Sequence, residues 1–200
     1  MICFVGQTGA GKSNGLVELL SRKNDSFYKI IYFTSSTADE PLIKFLQQKI
    51  EGIEILDTPE NLPELESFND EDKKTEKLII FNDLINLNKK QLAKVSKFYC
   101  STRKYGFTCI CMSQNYTEIP LNIRRNAQFF FLYKMSDLNT INHILKTHNM
   151  NNVNKNDLKN AYVQITSQPR NFMLIDLTTN SPMPFRKNFL EPIKLNNILK

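Results

Sequence analysis

Residues Gly6-Gln7-Thr8-Gly9-Ala10-Gly11-Lys12-Ser13 constrain this chain more than any other stretch. They follow the apolar run Ile2-Cys3-Phe4-Val5 and lead into Leu16, Val17, Leu19 and Leu20 at helical spacing. Strand, glycine loop and helix in that order are the setting of a phosphate-binding loop. The glycines let backbone N–H groups turn inward as an anion nest, and the helix start adds the positive end of its dipole. Lys12 is long enough to reach β- and γ-phosphates, and the Ser13 hydroxyl suits a Mg²⁺ ion. The candidate nucleotide-binding set is therefore Gly6, Gln7, Thr8, Gly9, Ala10, Gly11, Lys12, Ser13 and Asn14. Four of the six glycines lie between Gly6 and Gly15, where backbone must approach phosphate closely.

Two hundred residues can bury one full core without disulfide staples. One domain is expected over residues 1–178, and residues 179–200 form a tail of weak structural signals. Met1 stands just before the first strand, so either the domain begins abruptly or the start given is late. Cys3, Cys100, Cys109 and Cys111 show neither C-x-x-C nor zinc-type spacing. Cys109 and Cys111 share one strand face, which reads as core packing in a reducing compartment. His143 and His148 are off a common helix face and read as surface or satisfied histidines rather than ligands. No segment is apolar enough to span a membrane and no signal pattern opens the chain, so a soluble, intracellular protein is expected.

The formal charge is +6, yet residues Asp57 to Glu76 hold eight acids and two lysines. The rest of the chain therefore carries twice the overall excess, which favours a polyanionic partner unless it merely solvates the surface. The acidic stretch, with its two prolines, reads as a surface excursion of the composition that mobile segments have.

Further along, Lys29 to Thr34 reads as a buried strand, with a polar turn at Ser35-Ser36-Thr37-Ala38. Asp39, Glu40 and Pro41 suit a helix start, and Ile53 to Leu56 is a short third strand. Lys77-Leu78-Ile79-Ile80-Phe81-Asn82-Asp83-Leu84 is a fully buried strand with polar residues at its carboxyl end, where ligands bind in open α/β sheets. Asn82 and Asp83 there suit a Mg²⁺ ion or an attacking water, or cap a helix. A helix follows from Asn88 to Lys104, with Leu92, Val95, Phe98 and Tyr99 as its apolar stripe and Arg103 near its end. The strand Phe107 to Met112 ends in Ser113-Gln114, where Gln114 either faces a γ-phosphate or serves the turn. Arg124 and Arg125 follow on a short helix. A strand at Phe129 to Leu132, two helices around an Asn-rich loop (149–156), and a last strand at Phe172 to Asp176 complete the pattern. Alternating strands and helices give a three-layer α/β P-loop NTPase fold around a mostly parallel sheet. The chemistry legible at its strand ends is ATP or GTP hydrolysis.

The Gly6-to-Ser13 loop, Asp39-Glu40-Pro41-Leu42, Phe81-Asn82-Asp83-Leu84, Arg103 ahead of Cys111-Met112-Ser113-Gln114, and Ile119-Pro120 with Ile123-Arg124-Arg125-Asn126-Ala127 fit one pattern. It resembles the poxvirus-type DNA-packaging ATPases of large DNA viruses and virophages, in the FtsK/HerA superfamily of RecA-like (ASCE) pumps. The likeness spans roughly Ile2 to Tyr133. It implies an oligomeric ring that uses ATP and Mg²⁺ to move double-stranded DNA into a capsid, with a capsid or portal component as partner. Its expected place is the host-cell cytoplasm, a viral factory or the virion. By the resemblance, Lys12 and Ser13 hold phosphate and metal, Asp83 is the catalytic carboxylate and Gln114 senses the γ-phosphate. Arg103 is the first choice for an arginine finger serving a neighbouring subunit, then Arg124, then Arg125. One departure stands out: Asn82-Asp83 occupies the place of two adjacent acids, so Asn82 keeps a metal-side oxygen without its charge. The alternatives are a P-loop nucleotide kinase, for which no arginine-rich lid is evident, and a nucleotide-binding structural subunit that hydrolyses little.

Overall fold

Six apolar runs become parallel strands because each is too short for a helix and the connections between them return the chain to the same end of the sheet. The computed structural model describes residues 1–23, 26–35, 41–84, 86–150, 153–178, 183–193 and 195. Residues 36–40, which hold most of the expected Ser35-to-Ala38 turn and the Asp39-Glu40 pair of the expected helix start, lie outside the described residues, as do 151–152 of the Asn-rich loop. In chain order the elements are β1 (Ile2–Val5), α1 (Lys12–Arg22), β2 (Lys29–Thr34), α2 (Pro41–Lys49), β3 (Glu54–Leu56), α3 (Asp70–Lys74) and β4 (Lys77–Asn82). They continue as α4 (Lys89–Ser101), β5 (Phe107–Ser113), α5 (Leu121–Asn126), β6 (Phe129–Leu132), α6 (Asn139–Thr147), α7 (Lys155–Thr166) and β7 (Met173–Asp176). Two short strands, β8 (Phe185–Lys187) and β9 (Glu191–Pro192), come last.

The strands form one sheet in the order β3-β2-β4-β5-β1-β6-β7-β8-β9. Pairings from β3 to β6 are parallel, and those from β6 to β9 are antiparallel. β5 thus stands between the glycine-loop strand β1 and the Asn82-Asp83 strand β4. Alternation along the strands divides the core. Cys3, Val5, Ile79, Phe81, Cys109 and Cys111 face α4 to α7, while Phe4, Tyr32, Ile80 and Met112 face α1 and α2. The expected three layers are present, and all three strand cysteines are free and buried.

Three expectations need correction. The stretch from Asp57 to Glu76 is held in short helical turns at Pro59–Asn61 and Leu65–Ser67 and in α3, with Leu62 and Leu65 buried. The anchor is Lys77, whose amine donates to the Asp72 and Thr75 carbonyls and the Thr75 hydroxyl and lies 5.5 Å from the Phe68 and Phe107 ring centres. The strand ending at Asp176 is not the last, because its open edge is paired by β8. The helix from Asn88 ends at Ser101, and a tighter turn, Thr102–Tyr105, carries Arg103 into the left-handed Gly106. Asn88 caps α4 reciprocally with Gln91, so neither Asn82 nor Asp83 serves as the cap of that helix.

Candidate nucleotide site

The glycine loop is stitched to the strands on both sides. The Gly6 N–H donates to the Ser113 carbonyl (3.2 Å) at the end of β5, and the Gln7 N–H donates to the Lys134 carbonyl (2.9 Å) just past β6. Gly9 (φ 75°) and Gly11 (φ 108°) take left-handed backbone, which glycine adopts without steric cost. Gly11 is the N-cap of α1, so the first turn of that helix opens directly above the loop. The Lys12 amine donates to the carbonyls of Gly6 (2.5 Å) and Gln7 (3.2 Å). Burial pushes its pKa down, and the Asp83 carboxylate opposes that shift.

Asn82 closes β4, and Asp83 follows it with φ 52°, a left-handed conformation that costs a non-glycine residue about 1 kcal/mol or more. Two neighbours hold it there. The Asp83 carbonyl accepts from the Ser35 hydroxyl (2.6 Å), and its N–H donates to the Met112 carbonyl (3.2 Å). The turn after β5 is fixed by the Ser113 hydroxyl on the Asn115 carbonyl (3.0 Å) and by the Asn115 amide on Glu118 (2.7 Å). Gln114 lies inside that turn and borders the cavity.

A cavity of about 1000 Å³ opens over the carboxyl ends of β1, β4 and β5. Thr8, Gly9, Gly11, Lys12, Ser13 and Asn14 form its floor, and Asn82, Asp83, Ser113 and Gln114 stand across from them. Of the expected nucleotide set, Gly6, Gln7 and Ala10 do not line it; Gly6 and Gln7 instead secure the loop from behind. Val17, Pro41, Leu42 and Phe45 supply an apolar wall; Pro41 and Leu42 belong to the Asp39-to-Leu42 segment of the family pattern, but none of the four is an expected site residue. Ser13, Asn82 and Asp83 offer hard oxygen donors on facing sides, which fits a Mg²⁺ ion that keeps several waters and phosphate oxygens. Among the described residues there is no cluster of three His, Cys, Asp or Glu that would hold a metal ion by itself.

The three candidate finger arginines are not brought to this cavity. Arg103 is exposed on the turn that enters β5, roughly 20 Å down that strand from Ser113 at about 3.3 Å per residue. Arg124 is half-buried with its guanidinium carbon 4.9 Å from the centre of the Tyr116 ring, and Arg125 is exposed on α5. The arginine that does border the cavity is Arg170, in the turn before β7. Its only signal in the sequence is Gln168-Pro169, which marks a turn and not a site. Neither histidine approaches the cavity: His143 is exposed, and His148 is half-buried, edge-on to Phe130, with a buried Nε2 that lacks a hydrogen-bond partner.

Comparison with known proteins supports the fold and adds the family. No curated protein matches the chain by sequence. Among solved structures, the genome packaging NTPase B204 from Sulfolobus turreted icosahedral virus 2, in complex with AMP, superposes with a TM-score of 0.61 at 12% identity, covering 97% of this chain and 98% of that one. B204, the DNA-packaging ATPase from Sulfolobus turreted icosahedral virus, gives 0.60 at 13% identity, covering 96% and 97%. EssC (ATPases 2 and 3) from Geobacillus thermodenitrificans gives 0.50 at 14% identity over 68% of this chain and 32% of that one. At these identities the likeness is one of fold. The family profile described as Poxvirus A32 protein matches residues 1–181, so the chain belongs to that family.

Proposed function

We propose that this chain is a nucleoside triphosphatase that packages double-stranded viral DNA, working as a ring of identical subunits. The observation that carries the reading is the meeting of Lys12, Ser13, Asp83 and Gln114 around one cavity at the carboxyl ends of β1, β4 and β5. A phosphate chain seated on the loop N–H groups meets Lys12 at its β/γ end. Asp83 then stands where a water in line with the terminal phosphate loses its proton, and Gln114 donates to the same phosphate. Bound Mg²⁺ would neutralise the phosphate charge, with Ser13 and Asn82 on its side of the cavity. Membership of the A32 family and the likeness to the B204 packaging enzymes supply the cargo in this reading, and the basic body of the chain suits DNA.

Arg103 serves best as the finger in trans. It is exposed and lies at the end of β5 remote from its own cavity, so its reach is to a neighbour's site; Arg124, by contrast, is engaged with Tyr116. No helix among the described residues is long and apolar enough to cross a membrane. The test separates binding from chemistry. Lys12→Ala should lose nucleotide binding, whereas Asp83→Asn should bind ATP normally and lose at least about 100-fold in turnover. Normal turnover by the Asp83→Asn protein would overturn the assignment of Asp83.

A further inference from the structure

We propose that Arg170 is a nucleotide-contacting residue acting in cis at the α-phosphate and ribose end of the bound nucleotide. The inference rests on the nucleotide-binding reading above and adds the residue that grips the end away from the chemistry. Strand order supplies the direction. Asp83 and Gln114 leave β4 and β5, on one side of β1, whereas Arg170 enters β7, on the other side of β1 beyond β6. β7 runs antiparallel to β6 with Met173 beside Leu132, so the turn that precedes it arrives at the cavity end of the sheet. A polyphosphate whose reacting end faces Asp83 and Gln114 therefore presents its α-phosphate and sugar toward Arg170.

The turn is built to hold Arg170 there. Arg170 has φ 67°, a left-handed conformation that an arginine adopts only under outside constraint. The constraint comes from its neighbours. The Asn171 amide donates to Gln168 (3.0 Å), the Asn188 amide donates to Asn171 (3.1 Å), and the Phe172 N–H donates to Asn188 (3.1 Å). Asn188 belongs to the turn between β8 and β9, so the carboxyl-terminal strands brace the loop that carries the arginine. Arg170 also packs against the glycine loop itself, since a Cβ on Gly11 would stand 3.0 Å from the Arg170 Cα. Its side chain is exposed at the cavity rim, with no hydrogen bond or ion pair among the described residues. A permanent cation with planar donors in that position suits a phosphate oxygen.

The experiment is calorimetric binding of ADP and ATP to the full chain, with steady-state turnover at saturating ATP. Two variants are used: Arg170→Gly, which fits the left-handed backbone, and Arg170→Lys. Arg170→Gly should weaken ADP and ATP by the same factor, about tenfold or more, while kcat stays within about threefold. Arg170→Lys should recover part of the affinity. Unchanged affinity for both nucleotides would overturn the inference, as would a loss confined to ATP with collapse of kcat, which marks contact with the γ-phosphate. Lys12→Ala separates the two levels. If the wild type binds nucleotide and Lys12→Ala does not, an inert Arg170 removes only this inference; if the wild type binds neither nucleotide, both readings fall.

Discussion

The Tyr133 hydroxyl occupies the place that a Cβ on Gly15 would take. The same tyrosine crowds Gly6, where a Cβ would lie 2.5 Å from the Tyr133 Cβ, and its ring lies alongside Phe4 and Phe172. One residue just past β6 therefore dictates glycine both at the start of the phosphate loop and inside the helix that follows it. Gly15 is a cost to helix propensity that packing imposes, and it lets α1 lie close against the sheet.

This relationship predicts a sign reversal at Gly15. Alanine is ordinarily better in a helix interior by about 1 kcal/mol, yet Gly15→Ala should destabilise by about 2 kcal/mol through overpacking. The Tyr133 hydroxyl is buried without a hydrogen-bond partner, so Tyr133→Phe should be neutral or stabilising. Combining the two should recover most of the loss. Urea denaturation of the four proteins checks the cycle, and additive losses would contradict it.

Lys77 ties the acidic segment to the sheet by three hydrogen bonds and two aromatic faces. Lys77→Met keeps the stem but leaves the Asp72 and Thr75 carbonyls without their donor. A loss of about 2 kcal/mol is expected. Amide exchange across 65–75 should accelerate while β1 and β5 remain protected, and unchanged exchange there would refute the tether.

Cysteine reactivity should divide sharply. Burial pushes the Cys3 and Cys109 thiols up to about 12, and Cys111 is raised for the same cause. Cys100 is exposed. Native protein at neutral pH should therefore take one equivalent of iodoacetamide, at Cys100, and four after denaturation. Labelling of the strand cysteines in the native state would mean that the core opens far more readily than its packing implies.

Burial holds the His148 pKa below its ordinary 6.5, with a hydrogen bond to the Arg124 backbone opposing the shift. Below that pH the unfolded chain takes up a proton that the folded chain resists, so stability is full above about pH 6.5 and declines as the pH falls. His148→Phe keeps an aromatic edge against Phe130 and should flatten that decline. Denaturation midpoints at about pH 7.5 and pH 5.5 test it.

Most of the candidate site was legible in the sequence because its parts are contiguous and each follows an apolar run. Gly6 to Ser13, Asn82-Asp83 and Ser113-Gln114 all sit at strand ends, where a three-layer fold must gather them. Arg170 was not legible, since only the antiparallel return of β7 carries it beside Gly11. β8 and β9 were hidden for a related reason: they are short and proline-flanked, and they exist because β7 leaves an edge to pair. The acidic segment misled by composition. Its charge outweighs Leu62, Leu65 and Phe68 in any average, yet those three residues and Lys77 decide its order.

On the proposed reading, Asn82 stands on the metal side of the site without a charge. Asn82→Asp should lower the Mg²⁺ concentration needed for half-maximal turnover severalfold and leave the Asp83-dependent step intact. A Mg²⁺ titration of turnover in both proteins decides it, and an unchanged midpoint would place Asn82 away from the ion.

Steady-state ATP hydrolysis with and without linear double-stranded DNA, with Lys12→Ala as the blank, tests the central claim most directly. A DNA-driven packaging enzyme should hydrolyse ATP severalfold faster when DNA is added, and the Lys12→Ala protein should show neither the basal nor the stimulated rate. Turnover indifferent to DNA, or nucleotide binding with no turnover at all, would contradict it.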